Sequence, residues 1–116
     1  MKMEEIYQEE RPWGNFRQFT KNESSTVKIL NLKPDSSVSL QSHNHRHEFW
    51  RVISGDGLAE IGEEKIKVEI GSELEIPVQT KHRISSGERG LLILEISFGD
   101  FDEDDIVRYE DKYGRV

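Results

Sequence analysis

The chain has 116 residues, of which 34% are hydrophobic and 34% charged, with no cysteine and a formal net charge of −7. That is material for one domain with one core. It excludes disulfides and thiolate metal sites, and the negative balance argues against non-specific nucleic-acid binding, which needs Lys/Arg clusters against phosphates. No apolar run is long enough to span a bilayer, and Met1 to Glu10 carries no apolar signal core. We therefore expect a cytoplasmic protein with neither membrane nor nucleic acid as a partner.

Glu4 to Glu10 is polar and reads as a short helix or a flexible arm. Arg11-Pro12-Trp13-Gly14 is a turn, since Pro fixes φ and Gly permits reversal, and Trp13 is expected to plug an apolar surface. Thr26 to Lys33 alternates like a strand, and Pro34-Asp35-Ser36-Ser37 turns the chain. Val38 opens a strand that leads into the histidines. Glu48 to Ser54 is β-rich, and Gly55-Asp56-Gly57 reads as a hairpin turn. Leu58 to Ile61, Lys65 to Ile70 and Glu73 to Pro77 follow as short strands. His82 to Ser85 comes next, then a loop over Ser86 to Gly90, then Leu91 to Phe98, the most apolar strand of the chain. No long helical period is present. Many short strands separated by turn residues predict an all-β sandwich or small barrel. We divide the chain into an arm and first turn (1–24), a barrel (25–100) and an acidic segment (101–116) that packs on the barrel or trails from it.

Three of the four histidines, His43, His45 and His47, lie in Ser39-Leu40-Gln41-Ser42-His43-Asn44-His45-Arg46-His47-Glu48-Phe49-Trp50, and the fourth is His82. If the run is extended, Ser39, Gln41, His43 and His45 share a face. A lone strand histidine is ordinarily a solvated or hydrogen-bonded side chain. Three beside Glu48 point instead to a metal site, neutral imidazole being the commonest metal ligand. N and O donors admit zinc, iron, cobalt, manganese or nickel, and zinc is the ion we expect.

Two segments resemble the motifs of the cupins. The first cupin pattern runs G-x5-H-x-H-x3,4-E-x6-G, and Glu48 with Gly55 fits its second half. Counting back from Glu48 puts the two ligand positions on Gln41 and His43 and the opening Gly on Asp35. The second pattern runs G-x5-P-x-G-x2-H-x3-N. Gly71, Pro77 and His82 fit it, with Gln79 and Ser86 standing for the Gly and the Asn. More narrowly, Ser39-Leu40-Gln41, His43, His45-Arg46, Glu48, Trp50, the Arg11-Pro12-Trp13-Gly14 turn and the Glu103-Asp104-Asp105-Ile106-Val107-Arg108 run with Tyr113-Gly114-Arg115 resemble the cupin domain of type II mannose-6-phosphate isomerases. In that family this domain usually follows a mannose-1-phosphate guanylyltransferase domain, whose activity is not carried over.

The resemblance implies a single-domain cupin, a double-stranded β-helix of jelly-roll type. It implies a divalent ion on Gln41, His43, Glu48 and His82, with His45 facing the pocket. The implied activity is aldose–ketose interchange of mannose 6-phosphate and fructose 6-phosphate. His45 is the first candidate for the base, ahead of Lys81 and Glu95; the alternative for Glu95 is a solvent-facing strand position. Arg46, Arg108 and Arg115 are candidates for the phosphate, Arg suiting bidentate contact, and an ion pair with the acidic tail is the alternative for the last two. Ser39 and Trp50 are implied substrate contacts, Trp50 sharing the parity of Glu48 and equally suited to core packing. Cupins pair through strand edges, so a homodimer is expected. The rival readings are a non-catalytic sugar-binding cupin and another metal-dependent cupin enzyme.

Overall fold

The computed structural model describes residues 6–114. Among the described residues nine strands account for the regular structure and there is no helix. They are β1 (Tyr7–Arg11), β2 (Gly14–Gln18), β3 (Ser25–Leu32), β4 (Leu40–Ser42), β5 (Arg46–Ile61), β6 (Glu64–Val68), β7 (Glu73–Ile76), β8 (His82–Gly99) and β9 (Val107–Glu110). All pairings are antiparallel.

The Arg11-Pro12-Trp13-Gly14 turn closes the β1–β2 hairpin, so Tyr7–Arg11 is a strand and neither a helix nor a loose arm, while Glu4 and Glu5 of the polar segment lie outside the described residues. Trp13 does not plug a surface: it sits at the hairpin tip, 73% exposed. The other seven strands form one sheet wrapped around a lumen, with β8 at its centre, paired to β3, β4 and β5.

The two longest strands correct the expected boundaries. Gly55-Asp56-Gly57 is not a hairpin turn, and Ser86 to Gly90 is not a loop. Both lie inside long strands that run beside each other around a corner, with Gly55 opposite Leu91, Gly57 opposite Ser86 and register shifts in between. A Cβ on Gly55 would lie 2.2 Å from the Gly90 carbonyl oxygen, and one on Gly57 2.1 Å from that of Ser85. These glycines therefore permit close backbone approach at a bulged barrel corner.

Alternation assigns the faces. Arg46, Glu48, Trp50 and Val52 of β5 lie in register with Gly99, Ser97, Glu95 and Ile93 of β8. On β3, Thr26, Lys28 and Leu30 oppose Ser97, Glu95 and Ile93. This is the lumen face. The inner apolar cluster fills its far end with Leu32, Val52, Ala59, Val68, Leu74, Ile76, Ile84, Leu91 and Ile93, and Trp50 completes it. A second cluster, Phe49, Ile96 and Phe98, lies on the outer face beneath Ile6 and Phe19.

The two cupin glycine positions occupied by other residues are both left-handed here: Asp35 has φ 54° and Gln79 has φ 59°. The backbone the pattern requires is kept. Asp tolerates it readily, whereas Gln79 adopts it at a cost. Ser86, standing for the pattern's Asn, is buried and accepts from the Ser36 N–H at 2.9 Å, tying down the turn before β4.

Candidate metal centre

His43, Glu48 and His82 meet at the open end of the lumen from three separate stretches of chain. Glu48 lies on the inward face of β5, between Ile76 of β7 and Ser97 of β8. His82 opens β8 opposite Gln41 of β4. His43 follows β4, with its carbonyl accepting from the Gln79 N–H at 2.7 Å. All three are at least 97% buried. Glu48 Oε1 lies 3.4 Å from His43 Nε2 and 3.4 Å from His82 Nε2. Such spacings suit ligand atoms that share one ion at bond lengths of about 2.1 Å.

Each imidazole is oriented by its other nitrogen. His43 Nδ1–H donates to the Asp105 carbonyl at 2.7 Å, and His82 Nδ1–H to the Thr80 carbonyl at 2.9 Å. That leaves both Nε2 atoms as acceptors turned toward Glu48. Arg46 Nη2 donates to His43 Nε2 at 3.2 Å, which fits the same tautomer, and a bound ion would take over that lone pair. Burial pushes His43 below the ordinary 6.5 against the pull of its Asp105 hydrogen bond, favouring the neutral, ligating form. Burial presses the Glu48 carboxyl upward, and the Arg46 guanidinium beside it pulls the other way.

The chemistry of the donor set fits a divalent cation. Glu48 Oε1 and His82 Nε2 are buried without a hydrogen-bond partner, as are Arg46 Nε, Trp50 Nε1 and Arg108 Nε. Buried polar atoms normally find partners, and an acceptor-lined point with two of them orphaned is where a cation would satisfy both.

The remaining expected residues are placed as follows. Gln41 stands between His82 and Arg108 in one cross-strand row, and its Oε1 accepts from buried Ser39 Oγ at 3.2 Å. Arg46 is buried, with its guanidinium 4.4 Å from the centre of the Phe101 ring. Arg108 is half-buried on β9. Trp50 lies beneath the cluster, its ring edge-on to His82 at 5.7 Å. Arg115 lies outside the described residues. His45 is not part of the buried cluster. The run is not one strand: β4 stops at Ser42, the chain bends at Asn44 and His45, and His45 is exposed at that bend.

Two residues matter more than the sequence suggested. Glu95 is buried, not solvent-facing. Burial and then the neighbouring Glu48 charge push its carboxyl up to about 7, with Lys28 and the Ser97 hydroxyl pulling the other way. Its signal was a single carboxylate in an otherwise apolar strand. Asp105 is the other. Its carboxylate accepts from the N–H groups of Asn44 and His45, both at 2.9 Å, while its carbonyl holds His43. The hydrogen bond from Asn44, followed by that from His45, keeps this carboxyl below its ordinary 3.8 despite some desolvation.

A small antiparallel β-barrel with a His/Glu/His cluster at its mouth defines a cupin. Solved structures agree: a cupin protein from Bacteroides fragilis matches with a TM-score of 0.60 and 25% identity over 70% of this chain and 74% of its own. A double-stranded β-helix protein from Klebsiella pneumoniae matches with a TM-score of 0.66 and 17% identity over 80% of each chain. Within the cupins, residues 2–111 match the family described as mannose-6-phosphate isomerase C-terminal, and the chain belongs to it. Among its relatives are the xanthan biosynthesis protein XanB of Xanthomonas campestris, 38% identical over 108 residues, and the mannose-1-phosphate guanylyltransferase ManC of Salmonella typhimurium, 37% identical over 115. The alignments cover 91% and 97% of this chain but 23% of each relative, so the chain spans about a quarter of their length.

Proposed function

We propose that the chain is a metal-dependent aldose–ketose isomerase that interconverts mannose 6-phosphate and fructose 6-phosphate, in the supply of precursors for polysaccharide synthesis. The observation that carries this reading is the convergence of His43, Glu48 and His82 on one point of the lumen, in a chain of the mannose-6-phosphate isomerase C-terminal family. These three residues would hold the ion, with Gln41 beside them on β4 as the fourth candidate ligand. When bound, the ion supplies Lewis acidity toward the sugar's C1 and C2 oxygens.

The chain's own residues supply the rest. Interchange moves a proton between C1 and C2, and the group that carries it must sit inside the lumen beside the ion site. Glu95 has that position, next to Glu48 and with Ser97 Oγ donating to its Oε1 at 3.2 Å. Exposed His45 does not, so Glu95 replaces it as the base we favour. Arg46 and Arg108 bring positive charge to the mouth, each with a buried Nε awaiting an acceptor, and suit the phosphate. Trp50 closes the lumen behind the site and excludes water from it.

The test is turnover of mannose 6-phosphate to fructose 6-phosphate by the metal-loaded chain. Activity should vanish in Glu48→Gln and fall about 10²- to 10⁴-fold in Glu95→Gln, the usual contribution of a positioned acid–base group. Metal-loaded protein that is stabilised by the phosphosugar yet converts none of it would identify a binding module instead.

A further inference from the structure

The carboxylate of Asp105 and its own carbonyl act on adjoining parts of the site. The side chain clamps the two N–H groups of the Asn44–His45 bend, and the carbonyl takes the Nδ1 proton of His43. The bend immediately follows His43, so the clamp fixes where that imidazole starts and the carbonyl fixes which nitrogen is left bare. Neighbouring residues hold the same segment in place: Phe101 packs on the Lys28 ammonium at 4.3 Å and on Arg46, and Glu103 pairs with Lys28 at 3.2 Å. The segment then enters β9, which pairs with β4.

We infer that Asp105 is a positioning residue for the metal centre: by bridging the bend and His43 Nδ1 it locks the tautomer that presents Nε2 to the ion, so that the site is complete only when the acidic segment is seated. The inference rests on the metal-centre reading of His43, Glu48 and His82. Carbonyl and carboxylate partners of ligating histidines orient the ring and fix its tautomer, and their loss typically costs about 10- to 100-fold in metal affinity.

Two readouts on the 116-residue chain test it. The first is cobalt(II) affinity, followed by the ion's visible d–d bands. The second is the ring ¹⁵N shifts of His43 in the chelator-treated protein, which report the tautomer with no metal present. Asp105→Ala keeps the main-chain carbonyl but removes the clamp on the Asn44–His45 bend, so that the carbonyl and His43 are no longer held together; it should weaken cobalt binding by about 10- to 100-fold and turn the single Nδ1–H tautomer into a mixture. Asp105→Asn, which keeps one acceptor, should lie between, and Asp104→Ala, which removes a neighbouring exposed charge, should match the parent in both. If Asp105→Ala matches Asp104→Ala in affinity and tautomer, the inference is wrong. Should Asp105→Ala fail to fold, Asp105→Asn decides on the same two readouts. Cobalt bound by Glu48→Gln as tightly as by the parent would sink the metal-centre reading separately, and the tautomer measurement would still judge the role of Asp105.

Discussion

The two ends of the lumen are built by the same strands on the same face. On β5 the inward residues run Arg46, Glu48, Trp50, Val52, and on β8 the matching run is Gly99, Ser97, Glu95, Ile93. Both ends are buried to a similar degree. At the far end the buried apolar side chains pack on one another. At the mouth, buried atoms of Arg46, Glu48, Trp50, His82 and Arg108 lack partners. Alternation decides which residues enter the lumen, and it treats the two ends alike. Residue chemistry separates a packed core from a site, because unsatisfied buried polar atoms lower stability unless a ligand completes them.

Substitutions at the two ends should therefore behave differently. The largest expected effect is at the far end: Ile93→Ala should cost about 2–5 kcal/mol in urea unfolding, by the same amount with metal or chelator present. At the mouth, Glu48→Gln should change metal-free stability little yet remove the metal-linked part. The parent in metal at 100 times Kd should gain about 2.7 kcal/mol, lost on chelation, and the variant should show no difference between the two conditions. If Ile93→Ala shifts metal affinity as strongly as Glu48→Gln does, the two ends are not separate.

On the outside of the barrel Glu73 binds both Arg17 and Arg51, and these arginines hold its carboxyl below 4.5 despite partial burial. A carboxyl depressed by folding adds stability above its unfolded pKa and loses it as pH falls through the folded one. Glu73→Gln should flatten the acid limb of the stability profile below about pH 5, by roughly 1 kcal/mol for so accessible a cluster, while leaving cobalt affinity unchanged. The smallest effect concerns Gln79, whose backbone is left-handed. Gln79→Gly should stabilise by up to about 1 kcal/mol, as relief of the strain exceeds the entropy cost of glycine. Thermal unfolding reads it directly.

How much of this was legible varies from residue to residue for physical reasons. The period-two alternation of Thr26 to Lys33 and the turn at Arg11-Pro12-Trp13-Gly14 mark local structure, and local pattern is enough to find them. Gly55, Gly57 and Gly90 misled because a glycine reports permissive backbone without saying whether the chain reverses or meets another strand. The parity argument placed His45 in the pocket because it assumed unbroken extension, and the bend at Asn44–His45 breaks it. Glu95 was hard to orient because Leu91 to Phe98 is apolar on both faces: the lumen needs one face and the outer cluster of Ile96 and Phe98 needs the other. Asp105 stands in a run of acids with no periodicity, and its value comes from contacts 60 and more positions back along the chain.

The central claim is that His43, Glu48 and His82 enclose a single cation. Anomalous diffraction from a cobalt- or zinc-soaked crystal tests it most directly. The account predicts one dominant peak bounded by Nε2 of both histidines and a carboxylate oxygen of Glu48, absent from crystals of Glu48→Gln. A dominant peak elsewhere on the molecule, or one that survives that substitution unchanged, would contradict it.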